Sequence, residues 1–266
     1  MLRMRVNLKK QILHGICMMA AIIFIYPLAL MLIKSFAVDG FRNYLLVFKT
    51  YNLFHNFISS ILIVGCTLLL VCVILSPAAF AFSKLDFPLK KTLYYIILMG
   101  MMIPTSALIF PLFHTIKIMG LYGSRLSVVL PYVTLNSCFS LMMFKNYFDA
   151  LPNQLMEAAH MDGASRFRIF YSIMMPVAKP GLAFVLIQTF LSSWNELQMA
   201  MIFISDAVKL PLSVIPTRFS SSVVSTQFPT RVMFAALTIC LIPIAVFYLF
   251  ALRSLISGLT QGAVKE

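Results

Sequence analysis

Residues 56–83 read NFISSILIVGCTLLLVCVILSPAAFAFS and contain no Lys, Arg, Asp or Glu. A helix needs roughly 20 apolar residues to cross the hydrocarbon core of a bilayer, and this run is long enough. Five further charge-poor runs flank it: residues 11–33, 92–116, 126–144, 180–205 (interrupted only by Glu196) and 232–252. None alternates apolar with polar residues, which argues against barrel strands. Unpaired backbone is excluded from lipid, which leaves helices. The sequence therefore predicts an all-α, polytopic membrane protein. It is read as a single domain over residues 1–266, with six transmembrane helices and both termini on the same side.

Composition agrees. The chain is 61% hydrophobic and only 11% charged, whereas soluble domains run about 45–50% apolar. Lys and Arg set the orientation. Thirteen of them fall before the first run, between the second and third, between the fourth and fifth, and after the sixth; eight fall on the other side. The bias places both termini in the cytoplasm. A net charge of +13 raises nucleic acid as a partner, but the positive residues are spread over the loops and serve topology, so no nucleic acid is expected. The basic, apolar N-terminus resembles a signal peptide. Its apolar run is too long and no small-x-small site follows, so a retained first span is expected.

The catalytic and metal motifs are missing. Cys17, Cys66, Cys72, Cys138 and Cys240 all lie within runs and form no C-x-x-C pair, as small core residues do. His14, His55, His114 and His160 are scattered, without the spacing a metal site needs. The chain has no G-x-x-x-x-G-K-[ST] loop, no H-E-x-x-H and no G-x-S-x-G. Ionisable groups of the kind that ion-driven carriers use within the membrane are few, and Glu196 is the one acidic candidate. A solute mover so equipped borrows its energy from elsewhere.

The segment 145–179 shows where that energy can enter. Residues 151–181 read LPNQLMEAAHMDGASRFRIFYSIMMPVAKPG. Pro152 suits a first helical turn, and residues 154–161 are good helix formers. Gly163 can take the left-handed conformation that closes a helix. Ser165 can cap a second helix, which Pro176 is expected to end. The result is a helix–turn–helix elbow outside the lipid. Ala158 and Ala159 allow close approach, and Glu157 offers a carboxyl group to an arginine. An ordinary solvated loop fits the same residues.

Glu157-Ala158-Ala159, followed by Asp162-Gly163-Ala164-Ser165, Ile173 and Pro176, resembles the EAA loop of permease subunits in bacterial ATP-binding-cassette (ABC) importers. Pro104 and Pro111 in IPTSALIFPLF, Gly120-Leu121, Trp194-Asn195 and the tail Gly258-Leu259-Thr260-Gln261-Gly262-Ala263-Val264-Lys265 resemble the carbohydrate-uptake branch, and within it the smaller permease half of maltose-type transporters. Glu266 and the basic Gly123-Ser124-Arg125 depart from that pattern. The resemblance implies the ABC importer permease fold in a bacterial cytoplasmic membrane. It also implies binding-protein-dependent sugar import through a heterodimer with a second permease. Two cytoplasmic ATPases would bind beneath, an extracellular solute-binding protein would dock above, and lipid would surround the spans. No cofactor belongs to this chain; ATP and Mg would be bound by the ATPase. Residues 155–170 would be the coupling helix, with Glu157, Ala158, Ala159, Asp162, Gly163, Ala164, Ser165 and Pro176 carrying the contact.

For the solute, Trp194, Asn195 and Glu196 combine an aromatic face with planar hydrogen-bonding groups, the chemistry a sugar needs. Residues one or two apart do not share a helix face, so the three cannot all face the path, and Trp194 fits a core position equally. On composition alone, a secondary carrier or channel for a small polar solute is the alternative. A membrane-embedded enzyme is disfavoured, since no nucleophile–base set is visible.

Overall fold

The computed structural model describes the backbone of residues 2–219 and 228–263, and the side chains of residues 10–219 (except 12) and 228–251. The tail motif therefore has its backbone described to Ala263 and nothing beyond, and its side chains lie outside the described residues, as does Glu266. Among the described residues, thirteen α-helices follow in order: α1 Leu2–Ser35, α2 Phe41–Thr50, α3 Leu53–Lys84, α4 Lys90–Met99, α5 Thr105–Ile118, α6 Leu126–Asp149, α7 Gln154–Met161, α8 Arg166–Ile169, α9 Met175–Val177, α10 Lys179–Trp194, α11 Gln198–Phe203, α12 Ile215–Arg218 and α13 Thr230–Ala263. No strand occurs among the described residues. Among the described residues, four helices (within α1, α3, α6 and α13) are long and apolar enough to cross a membrane, and up to six spans result if each bent pair is one span.

Both bends have local causes. Lys90–Met102 and Thr105–Ile118 meet at 103°. A 3-10 turn, Gly100–Met102, runs into Pro104, whose extended ψ of 131° starts α5. A side chain at Gly100 would sit 2.8 Å from the Cys138 sulfur on α6, so any larger residue would have to push that side chain aside. The second pair, Arg166–Val177 and Lys179–Trp194, meets at 78°. Here the expectation that Pro176 ends its helix is corrected. The chain widens into a π-turn, Phe170–Met174, and continues through Pro176 to Val177. Proline lacks an N–H and its ring crowds the carbonyl four residues back; a π-turn shifts that register by one residue and removes both conflicts. The turn at Ala178 then ends the helix.

The chain divides into two compact units, Met1–Leu53 with Ile215–Pro243, and Phe54–Val214 with Ile244–Glu266. In the first, buried Asn43 donates to the Ser35 and Ala37 carbonyls, and Arg231 pairs with Asp39 at 2.7 Å. These bonds hold the turn between α1 and α2, where Val38 has a positive φ of 66°. In the second, the core runs along α3, α6, α10 and α11. Phe80, Phe148 and Phe170 form a ring triad with centroids 5.3–6.4 Å apart. Gly181 on α10 lies flat against Tyr147 of α6; a Cβ there would stand 2.2 Å from the ring. Asn56, at the start of α3, donates to the carbonyls of Ala207 and Leu210, and Ser60 accepts from the Leu212 N–H.

Candidate coupling elbow and solute path

The elbow is built by local chemistry and then tied down. Helix α7 closes on Gly163, whose φ is +75°. The Gly163 N–H donates to the His160 carbonyl and the Ala164 N–H to the Ala159 carbonyl, both at 3.0 Å. This pair of bonds is the Schellman closure. Ser165 then starts α8 with extended backbone, and its hydroxyl accepts from the Arg168 N–H at 3.3 Å. Ala159, Ile169 and Met174 are buried beneath, while Ala164 is half-buried. The Lys84 ammonium, at the end of α3, donates to the Leu151 carbonyl at 2.6 Å and to Asn153 Oδ1 at 2.8 Å. Ser83 donates to Asp149 Oδ1 at 2.6 Å. Two span ends thus fix the elbow's entry.

The opposite face is left open. Glu157, Ala158, Asp162, Gly163 and Ser165 are exposed. Met161, Phe167 and Tyr171 are 86%, 75% and 69% exposed. Glu157 and Asp162 have no partner among the described residues. A polar-rimmed apolar patch of this kind marks an interaction surface. The sequence reading singled out the small and charged residues of this face but missed Met161, Phe167 and Tyr171. Their 4- to 6-residue spacing across a turn is visible only once the elbow folds.

The second candidate region is a helix break. Helix α10 ends at Trp194, and α11 begins at Gln198. The Glu196 carboxyl group caps α11: Oε1 accepts from the Met199 N–H at 2.8 Å, and Oε2 accepts from the Ala200 N–H at 3.3 Å. Tyr132 of α6, 2% exposed, donates its hydroxyl to the same Oε2 at 2.5 Å. Ser213 donates to the Glu196 carbonyl at 2.9 Å. Both carboxyl oxygens are thus engaged by the chain itself. Trp194 is 3% exposed, stacked on Phe190 at 5.3 Å and edge-on to Phe57 at 6.2 Å. Asn195 is exposed, its amide donating back to the Leu191 carbonyl at 2.8 Å. Of the three sequence candidates, only Asn195 faces outward.

Asn195 has company that the sequence reading missed. Gln188, Ser192 and Asn195 are all exposed, and the spacing i, i+4, i+7 puts them on one face of α10. Ser192 donates to Asn136 Oδ1 on α6 at 2.7 Å, extending the face to a second helix. The signal was the i, i+4, i+7 spacing inside a charge-poor run. Among the described residues no group of His, Cys, Asp and Glu can hold a metal ion.

Comparison with known proteins agrees with this architecture. The model of the family described as "binding-protein-dependent transport system inner membrane component" matches residues 74–261. The diacetylchitobiose uptake system permease protein NgcG of Streptomyces coelicolor is 28% identical, over 95% of this chain and 88% of that one. The trehalose transport system permease protein SugB of Mycobacterium tuberculosis is 32% identical, over 85% and 82%. The trehalose/maltose transport system permease protein MalG of Thermococcus litoralis is 30% identical, over 98% and 99%. In fold, a chain of a bacterial ABC transporter involved in the import of the acidic polysaccharide alginate aligns with a TM-score of 0.78 at 22% identity, over 93% of this chain and 95% of that one.

Proposed function

The chain belongs to the family of binding-protein-dependent transport system inner membrane components, and on that premise we propose how this permease of an ABC importer works. It forms half of a path for a sugar or oligosaccharide, paired with a second, homologous permease. Two ATPase subunits bind ATP and Mg, one of them receiving this elbow in a cleft, and an extracellular solute-binding protein delivers the sugar. The chain performs no covalent chemistry of its own. The observation that supports this most is the elbow's open face, where unpaired Glu157 and Asp162 surround exposed Met161, Phe167 and Tyr171. An apolar surface that leaves the lipid and carries unpaired carboxyl groups fits a basic-rimmed cleft on a soluble subunit. ATP-driven closure of that subunit then moves the elbow, and the spans rock with it, a rigid-body form of alternating access.

The relatives' names carry the sugar class. In this chain, the polar face of Gln188, Ser192 and Asn195 with Asn136 supplies amide and hydroxyl groups that exchange hydrogen bonds with sugar hydroxyls. Polar groups are costly toward lipid, so this face turns to the path. Ser192→Leu should therefore lower oligosaccharide uptake at least tenfold while the permease–ATPase complex still copurifies intact. Normal uptake by that variant in reconstituted vesicles supplied with ATP and binding protein would remove the face from the path.

Orientation follows from the same reading. The elbow meets ATPases inside the cell, so both termini, residues 84–91 and residues 145–179 are cytoplasmic, and residues 206–231 lie outside. Single cysteines at Asp86, Arg166 and Val208, all exposed, in a cysteine-free background report it. An impermeant maleimide added to intact cells should label only the Val208 site. Labelling of the other two with the Val208 site silent inverts the topology.

A further inference from the structure

Three span ends meet beside the elbow and leave a cavity that the coupling reading does not use. Its volume is about 390 Å³, and its lining includes Lys90, Lys91, Lys145, Tyr94 and Tyr95. We propose that this cavity binds the phosphodiester headgroup of an anionic phospholipid.

The charge argument begins with the amines. Lys90 donates to the Leu85 carbonyl at 2.7 Å and lies 3.6 Å from Asp86. Lys145 pairs with Asp149 at 2.6 Å and stands over the Tyr94 ring at 5.2 Å. Both are thereby held in place, with side chains only 24% and 21% exposed. Lys91 is exposed and has no partner among the described residues. Two carboxyl groups stand against these three ammonium groups: Asp149, the partner of Lys145, and Asp86, which lines the cavity beside Lys90 and whose side chain is fully exposed to solvent. The cavity therefore presents an excess of positive charge around one unpaired lysine, together with two phenol groups able to donate.

The position selects a lipid over a soluble anion. The lining comes from the end of α3, the start of α4 and the last turns of α6, so it sits where three spans leave the hydrocarbon. Tyrosine rings at that depth are characteristic of the headgroup layer, and basic pockets between span ends bind anionic headgroups. Helix α4 buries none of its residues. Tyr95 on the lining and Ile96 and Met99 just beyond it are 63%, 54% and 56% exposed. A headgroup phosphate held by Lys91 places its acyl chains along this apolar surface, a contact that free phosphate cannot make.

The test uses the full permease–ATPase complex in detergent, titrated with phosphatidylglycerol or phosphatidylcholine and read by native mass spectrometry. The wild type should retain phosphatidylglycerol in preference. Lys91→Gln should weaken that retention about fivefold, the value of one lysine at a charged membrane surface. Lys117→Gln, which alters a lysine outside this cavity, should leave retention unchanged. Equal retention of the two lipids, or wild-type retention by Lys91→Gln, overturns the site. So does displacement of the lipid by glycerol phosphate at the concentrations where short-chain phosphatidylglycerol acts, since that outcome assigns the cavity to a soluble phosphate.

Discussion

Gly163→Pro will abolish ATP-driven uptake while leaving the spans inserted. Gly163 sits at φ +75°, and proline is locked near −65°. The substitution also deletes the N–H that bonds the His160 carbonyl. The turn between α7 and α8 then cannot close, at a cost on the order of 3 kcal/mol or more, and the buried Ala159 of α7 loses its seat in the core. Transport should fall on the order of 100-fold, since 1.4 kcal/mol is a factor of ten, and the ATPase should no longer copurify. Gly163→Ala grades the effect. Nothing lies within 4 Å of the added methyl, so only the left-handed strain of about 1–2 kcal/mol remains, and partial coupling should survive. Glu157→Lys separates docking from folding, because Glu157 is exposed and unpaired. It should leave the elbow intact yet weaken ATPase retention through like-charge contact. Full uptake with full ATPase retention in both Gly163→Pro and Glu157→Lys would end the coupling assignment.

The elbow was legible in the sequence because its determinants are local. A left-handed glycine and a serine cap act on N–H groups within a few residues, so Gly163 and Ser165 could be assigned by spacing alone. The apolar runs were legible for a related reason: lipid imposes the same demand on every turn of a span. What stayed hidden depends on distant partners. The 103° bend packs Gly100 against Cys138, residues on different spans. The end of α10 at Trp194 needs the Glu196 cap, which Tyr132 steadies from 64 residues away. A continuous span over residues 180–205 was the natural reading without that bond. Pro176 signals a stop in the sequence because its conflict with an α-turn is local, whereas the π-turn that resolves it is built against the Phe80 and Phe148 rings. Trp194 has the chemistry of a sugar platform but, buried between Phe57 and Phe190, has no face to offer.

Glu196→Ala should destabilise the permease severely, and Glu196→Gln only slightly, because the carboxyl group is a structural hub. Alanine orphans the Met199 and Ala200 N–H groups at the start of α11, a cap loss of about 0.5–2 kcal/mol. It also strands the Tyr132 hydroxyl in a site 2% exposed, which costs about 1–3 kcal/mol more. Glutamine keeps one carbonyl oxygen for Met199, and its amide can donate to the phenol oxygen, so most of the network survives. Tyr132→Phe closes the argument. If the phenol is stranded in Glu196→Ala, removing it should recover part of the loss, and the double variant should be more stable than the sum of the singles. Thermal unfolding of the purified complex in detergent reads all three. A changed sugar preference in Glu196→Gln with normal stability would instead return Glu196 to the solute path. Loss of the second permease on extraction, with the chain itself still folded, would place its partner on that subunit. Glu196→Ala unfolding at the wild-type temperature would mean that the α11 cap and the Tyr132 bond carry no stability, leaving the helix break to be held by Ser213 and the packing of Met199, Ala200 and Phe203 alone.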